Sequence, residues 1–437
     1  MKLIDWFRPG IKVKRWLLLG FFGVLVLWFA LLEFVRRSFF SFYYKCYFIF
    51  LIAIGVFLLY VAISKGIQSV IALINKGYLN VSLDSKKIEN LLYEKRLLIK
   101  GPKIVVIGGG TGLSTMLRGL KYYTSNITAI VTVADDGGGS GALREDLGIL
   151  PPGDIRNCIL ALSDTEPLME DLLQYRFKDG RLKNQSFGNL FLAAMDGISS
   201  NFEEAIKKVS SVLAVTGKVL PVTLDNVILK AKLKNGTIVA GESNIPKKAI
   251  EFNSPIDKIF IEPKGAHAVK EAVDAIKDAD AVILGPGSLY TSIMPNLVFK
   301  DISTALQRTP AIVIYVANIM TQHGETDGYD VADHINAISK HVGKNVVDYV
   351  IANVGSVENS KYNLVTLNEK RIRNMGVEII KGDFINRENG ITKHNTENLA
   401  ASIIETIMEK KLFYDKKKII EYFYLSERLK DRKKNRE

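Results

Sequence analysis

Cysteine is almost missing from this chain: Cys46 and Cys158 are the only two in 437 residues. That is too few for a disulfide framework, and the scarcity suits a reducing compartment. Histidine is sparse too, with five. No HExxH, CxxC pair or GxSxG occurs, so zinc hydrolysis and serine hydrolysis fit poorly. His323 invites a catalytic role, but it has no nucleophile at recognisable spacing, and a surface or supporting position is the better expectation. A basic surplus is also lacking where a nucleic-acid partner would need one. The formal net charge is +12, yet residues 1–100 hold 15 basic and 5 acidic side chains and residues 416–437 hold 9 and 4, which leaves 34 basic against 37 acidic for residues 101–415. Nucleic acid is therefore not expected as a partner of the body. The positive charge gathers at the two ends of the chain, where it can meet anionic lipid head groups.

Two long apolar runs open the chain. Trp16 to Val35 carries a single charge, Glu33, and Cys46 to Ser64 carries none. Each is long enough to cross a bilayer as a helix, and aromatic residues crowd the ends of both. The Arg36-Arg37-Ser38-Phe39-Phe40 segment offers no small-residue cleavage site, which argues against a signal peptide. Lys2, Arg8, Lys12, Lys14 and Arg15 precede the first run, while the connector holds only Arg36, Arg37 and Lys45. The expectation is a two-pass membrane protein with both termini and the main domain in the cytoplasm. Residues 1–65 read as a transmembrane hairpin, 66–100 as a connector with an amphipathic piece around 88–93, 101–415 as the body and 416–437 as a basic tail. That tail reads either as a helix on the membrane surface or, preferably, as a solvated end.

The body alternates strands, near 103–107, 128–134, 281–285, 311–317 and 347–353, with helical segments. This predicts an α/β fold with a doubly wound, mostly parallel Rossmann-like sheet. Residues 222–262 break the pattern: two β runs flank Lys234-Asn235-Gly236 and a third comes at 258–262, predicting a small antiparallel insertion. Ligands of doubly wound sheets bind beyond the carboxyl ends of the strands, so the residues just past each strand matter most.

After the first strand comes GGGTGLS, residues 108–114. Gly109, Gly110 and Gly112 leave the backbone bare, Thr111 is a candidate helix cap, and the new helix's free N–H groups favour an anion. The motif departs from GxGxxG because Leu113 holds the third glycine position, and a tight turn without ligand accounts for it equally well. The second strand ends in Asp135-Asp136, four glycines and Ser140. These acids stand where a ribose-binding or magnesium-binding carboxylate is found, on a loop able to close over a phosphate. Asp154, Arg156 and Asn157 open a further helix, with Asp154 placed to cap it and Arg156 offering paired donors. Asn189 comes after a similar polar turn. Ser288, Leu289 and Tyr290 belong to a second strand–turn–helix, with Tyr290 able either to stack on a base or to pack in the core. Asn318 and Thr321 end the next strand.

In order, GGGTGLS, ADDGGGSG (134–141), GDIRN (153–157), SFGN (186–189), GPGSLYTS (285–292) and TQHGETDGY (321–329) resemble the YvcK/CofD family over residues 103–385. The run LGILPPGDIRNCILALSD is closer to the YvcK branch, the gluconeogenesis factors. The resemblance implies a UDP-sugar ligand such as UDP-N-acetylglucosamine and a role in cell shape and envelope synthesis on gluconeogenic carbon sources. It implies ligand contacts at Gly109, Gly110, Thr111, Gly112, Asp135, Asp136, Ser140, Asp154, Arg156, Asn157 and Asn189, with Ser288, Leu289, Tyr290, Asn318 and Thr321 closing the site. The CofD branch implies a different outcome, a transferase in which Asp135 or Asp136 holds magnesium and a nucleotide diphosphate leaves.

The site offers phosphate cradles and acids but no nucleophile and base pair. A membrane-tethered nucleotide-sugar-binding regulator is therefore expected, with the CofD-like transferase as the alternative. A NAD oxidoreductase is disfavoured by the glycine spacing. Expected partners are the nucleotide sugar, the lipid bilayer, envelope-synthesis proteins and further copies of the chain in a homo-oligomer.

Overall fold

The computed structural model describes residues 14–36, 42–77, 98, 101–355, 363–386, 393–413 and 418–434. The chain forms two compact units, Met1–Glu94 and Lys95–Glu437. The amphipathic piece expected around 88–93 lies outside the described residues.

In the first unit, helices Lys14–Arg36 and Phe42–Gly77 run antiparallel, with Gly20 facing Ala62 and Gly55 facing Leu27. A Cβ on Gly55 would lie 2.6 Å from Leu27 Cγ, so the bare backbone is what lets the two helices approach. The segment Tyr47–Lys65, with a mean hydropathy of 2.6, is long and apolar enough to cross a membrane, and Leu18–Leu32 is a shorter apolar stretch. The described residues thus contain one segment of spanning length where the sequence predicts two. The first is cut short where Glu33 succeeds Leu32.

The second unit is built on a seven-stranded sheet: β1 (Ile104–Gly108), β2 (Ile127–Val131), β3 (Lys218–Pro221), β7 (Ala281–Leu284), β8 (Ile312–Val316), β9 (Tyr349–Asn353) and β10 (Glu378–Gly382). Their order is β10-β9-β8-β7-β1-β2-β3, and every pairing is parallel. The central strands are apolar along their whole length and fully buried, as a sheet covered on both faces requires. β3 and β10 are the two edges and carry polar residues or proline, which is why alternation alone does not reveal them. The insertion is a separate antiparallel sheet of β4 (Ile228–Leu233), β5 (Ile238–Ala240) and β6 (Ile256–Glu262), in the order β5-β4-β6. A short antiparallel pair, β11 (Ile385–Asn386) and β12 (Lys393–His394), comes after β10.

Two loop expectations are corrected. Of residues 135–141, expected as a mobile glycine loop, 138–141 form the first turn of the helix Gly138–Leu147. Glycine at 141 permits this, because a Cβ there would strike the Asp136 carbonyl. The expected solvated tail contains the helix Ile419–Lys434, whose Leu425 and Leu429 are buried in the core. Arg428 Nη1 donates to Tyr122 O at 2.8 Å, and Lys418 pairs with buried Asp280, which also accepts the Lys103 N–H. The basic composition hides an apolar pair four residues apart, one helical turn. Leu425→Ala should therefore lower stability by about 2–5 kcal/mol, read as a shift in urea midpoint; an unchanged midpoint would return this segment to solvent.

Candidate functional site

Strand order reverses between β1 and β7, so their chains leave in opposite directions and open a crevice beyond their carboxyl ends. The two turns that leave these strands meet there. Gly110 has φ +70° and Gly285 φ +80°, conformations that favour glycine. A Cβ on Gly112 would lie 2.7 Å from Pro286 O. Asn318, at the exit of β8, locks the second turn by donating Nδ2–H to Gly287 O at 2.8 Å and accepting the Gly287 N–H at 3.3 Å.

The resulting cleft, of about 580 Å³, is lined by residues 109–112, Ser288, Ser292, Asn318, Thr321, Gln322, Lys393 and His394 among others. The Gly110–Leu120 helix begins at its wall without a side-chain cap, presenting first-turn N–H groups and its positive dipole end. Thr111 does not cap it. It lies inside the first turn, where its carbonyl accepts from the hydroxyls of Ser114 and Thr115. A larger groove of about 1030 Å³ opens beside Lys103, Thr128 and Lys218, at the amino ends of the strands. It lies at the wrong end of the sheet for this kind of site.

A second polar group abuts the glycine turn. Asp154 does not cap its own helix, Gly153–Leu162; it reaches across to accept the Gly110 N–H. A Cβ on Gly109 would sit 2.5 Å from Asp154 Oδ2. Burial raises the Asp154 carboxyl to about 6, the Gly110 bond opposing it and Asp135 adding to it. Arg156 donates to Ser186 Oγ, to Asn189 Oδ1 at 2.8 Å and to Asn157 Oδ1 at 2.7 Å. All three partners are neutral, and burial lowers the pKa of this guanidinium. Asn189 Nδ2 reaches Ser140 Oγ at 3.5 Å. Asp135, its pKa raised by burial, accepts the Gly137 N–H at 2.9 Å and bonds to Ser140. Thus Asp135, Ser140, Asp154, Arg156, Asn157 and Asn189 form one connected shelf beside the cleft.

Three expected ligand contacts are placed elsewhere. Leu289 and Tyr290 are buried in the core: Tyr290 bonds its hydroxyl to Tyr329 at 3.0 Å and meets His341 edge to face. In the turn Leu289–Ile293 that contains them, Leu289, Tyr290, Thr291 and Ile293 are buried and Ser292 alone lines the cleft. Asp136 accepts the Ser243 N–H at 2.9 Å and ties the insertion to the core.

The Asp135–Asp136 pair does not fit a resident magnesium ion. Asp135 accepts from the Gly137 N–H and from Ser140, and Asp136 from the Ser243 N–H, so both carboxylates are already engaged by protein donors. No group of three metal-ligating side chains occurs among the described residues.

Sequence reasoning missed four residues. Lys393 lines the cleft without an ion-pair partner among the described residues, and His394 beside it bonds the Ala317 carbonyl at 3.2 Å; burial pushes this imidazole down to about 4, so it is neutral. Both lie on β12, far along the chain and without motif character. Glu325 accepts from Thr291 Oγ1 at 3.1 Å and from Tyr290 N at 3.3 Å, and burial raises it to about 7. Glu242, on the insertion, is raised to about 8 by burial and then by Asp135, Asp136 and Glu325. Glu325 lies within the TQHGETDGY run, the one signal that could have found it.

A crevice at the reversal of a doubly wound sheet, walled by two glycine turns and a helix start, is the place where folds of this class carry their ligand sites. A model of the family described as 2-phospho-L-lactate transferase CofD matches residues 104–385. A Clostridium acetobutylicum protein named "Putative gluconeogenesis factor" is 68% identical over 99% of this chain and 98% of its own length. The Bacillus subtilis protein named gluconeogenesis factor is 44% identical over 70% of this chain and 99% of its own. A crystal structure of a Bacillus halodurans protein, 43% identical, superposes with a TM-score of 0.67 over 70% of this chain and 99% of that one. The chain belongs to the CofD/YvcK family, in which the Clostridium and Bacillus subtilis relatives carry the gluconeogenesis factor name.

The Asp154 carboxyl has a higher pKa folded, about 6, than in the unfolded chain, near 3.9. The native state therefore holds more protons between those values, and stability falls as pH rises through that window. Asp154→Asn keeps an acceptor for Gly110 and removes the ionisation. Its melting temperature should match the parent below pH about 4 and exceed it above pH about 7; an equal deficit at both pH values would refute the assignment.

Proposed function

We propose that the body is a binding module for a nucleoside-diphosphate sugar, of the UDP-N-acetylglucosamine kind, acting as a regulator rather than as a catalyst. The observation that carries this reading is the meeting of the β1 and β7 turns at the sheet's reversal point. Two bare backbones, a helix start and Lys393 converge there on a single cleft. Backbone N–H groups at a helix start suit a diphosphate, and a cation without a carboxylate partner among the described residues suits its charge. The hydroxyl and amide groups of Ser288, Ser292, Asn318, Thr321 and Gln322 on the same walls suit a sugar or base. The shelf around Asp154 and Arg156 abuts the diphosphate end.

Among the described residues nothing in this site pairs a nucleophile with a base, and Asp135 and Asp136 are each engaged by protein donors, which favours binding over transfer. Its role, on this reading, is to report nucleotide-sugar supply to proteins of envelope synthesis and cell shape. The two N-terminal helices form a two-pass anchor, Tyr47–Lys65 spanning outright and Lys14–Arg36 completing the hairpin, with the body on the cytoplasmic side.

Calorimetry on residues 95–437 with UDP-N-acetylglucosamine, with and without magnesium, tests the reading. Saturable binding without product is expected. Lys393→Met should weaken it roughly tenfold by removing the charge facing the phosphates. Tyr290→Phe should leave it unchanged, since that ring is buried away from the cleft. Product formation would install the transferase reading in its place, and absence of binding would remove the nucleotide sugar.

A further inference from the structure

The body exposes several large apolar side chains between residues 168 and 182. The Pro167–Gln174 helix buries a single residue, Leu173. Leu168 is 81%, Met169 41% and Leu172 44% exposed, and Tyr175, immediately after the helix, is 47% exposed. Chain direction then reverses in a short hairpin, fixed by Phe177 N–H to Gln185 O and Asn184 N–H to Phe177 O, both 2.9 Å. Leu182, near its tip, is 43% exposed. Five such side chains within fifteen residues exceed the scattered apolar exposure of an ordinary surface.

The charge around this face is arranged by sign. Before and within the helix stand Asp164, Glu166, Glu170 and Asp171. Two of these are engaged within the body, Glu170 with Arg118 at 2.7 Å and Asp164 with Lys121 at 3.8 Å. The hairpin after the helix carries Arg176, Lys178, Arg181 and Lys183 against Asp179 alone. Lys178, Arg181 and Lys183 are exposed and have no ion-pair partner among the described residues. Along the chain the exposed apolar side chains thus run from an acidic helix into a basic hairpin.

We infer that this face is a two-fold interface between copies of the chain. In an isologous contact the same patch lies on both partners. With the strips antiparallel, the acidic helix of one copy meets the basic hairpin of the other at both ends, and the five apolar side chains are covered between them. The parallel alignment would set acid against acid and base against base, so charge selects the antiparallel one. The acids on this face also oppose attachment to an anionic lipid surface, which would require basic charge throughout. The hairpin leads directly into Ser186, which accepts from Arg156 and caps the Phe187–Gly197 helix, so the interface adjoins the shelf without including it.

Body-length chains stand alone in this family, since 70% of this chain accounts for 99% of the Bacillus halodurans crystal structure. Residues 95–437 therefore suffice for the test, which is sedimentation equilibrium at roughly ten micromolar. One variant reverses the bases (Lys178→Glu, Arg181→Glu, Lys183→Glu) and another the free acids (Glu166→Lys, Asp171→Lys). Circular dichroism melts confirm that each folds.

The unaltered body should be a dimer, and each variant alone should dissociate with a constant raised at least about tenfold. Their equimolar mixture should recover the dimer with one copy of each, because the acidic hairpin of one then meets the basic helix of the other, and its acidic helix meets the other's basic hairpin. A monomeric parent, variants that dimerise as tightly as the parent, or a mixture that stays monomeric would each overturn the interface. So would a monomeric parent that floats with vesicles of anionic lipid, which would assign the face to the membrane.

Discussion

Two stretches of chain without side chains touch at the centre of this body, and the cleft exists because they can. The Gly112 α-carbon lies so close to the Pro286 carbonyl that even a methyl group would have to displace backbone. Contact at that distance fixes the β1 and β7 exits against one another, and Asn318 fastens the second turn to the end of β8. Asn296 repeats the theme from below, its amide donating to Gly108 O at 3.1 Å and to Ser292 O at 2.8 Å. Strand register, turn geometry and helix start are therefore one rigid assembly, and polar groups from three successive neighbours in the sheet are held at common height.

Around this assembly the protein places negative charge under constraint. Asp135, Asp154, Glu242 and Glu325 are each raised by burial, and the cost is relieved mainly by backbone N–H groups and hydroxyls rather than by cations. Asp136 and Glu242 reach from opposite sides of the junction between the parallel sheet and the inserted antiparallel one. The insertion is thereby tied to the segment that carries Asp135 and Asp136.

Much of this was legible in the residues. Five of the seven parallel strands are short apolar runs rich in valine and isoleucine, which need no partner to be recognised, and the hairpin at Lys234-Asn235-Gly236 declared the insertion. The glycine turns pointed to the cleft because a connection between strand and helix rarely needs so much bare backbone for itself. Local reading failed where tertiary contact decides. Asp154 stands in the position of a cap for its own helix, yet it bonds another helix's first N–H, a choice made by the distance between two elements remote in sequence. Tyr290 looked like a ring on a binding loop, and its burial depends on Tyr329 and His341, which no local pattern connects to it. Lys393 and the helix Ile419–Lys434 were lost for a related reason, since basic residues near a chain's end read as solvent-facing until the surface they cover is known.

Asp154 gives the glycine turn an occupant of its own. An oxygen bearing negative charge already sits on the first free donor of the Gly110–Leu120 helix, in the place where an incoming anion would seek its bond. Docking of any anion at that turn is then an exchange of one carboxylate for another acceptor, driven by the difference between them. Acidity of the surroundings enters that difference directly, because a protonated Asp154 yields the donor more readily than an ionised one.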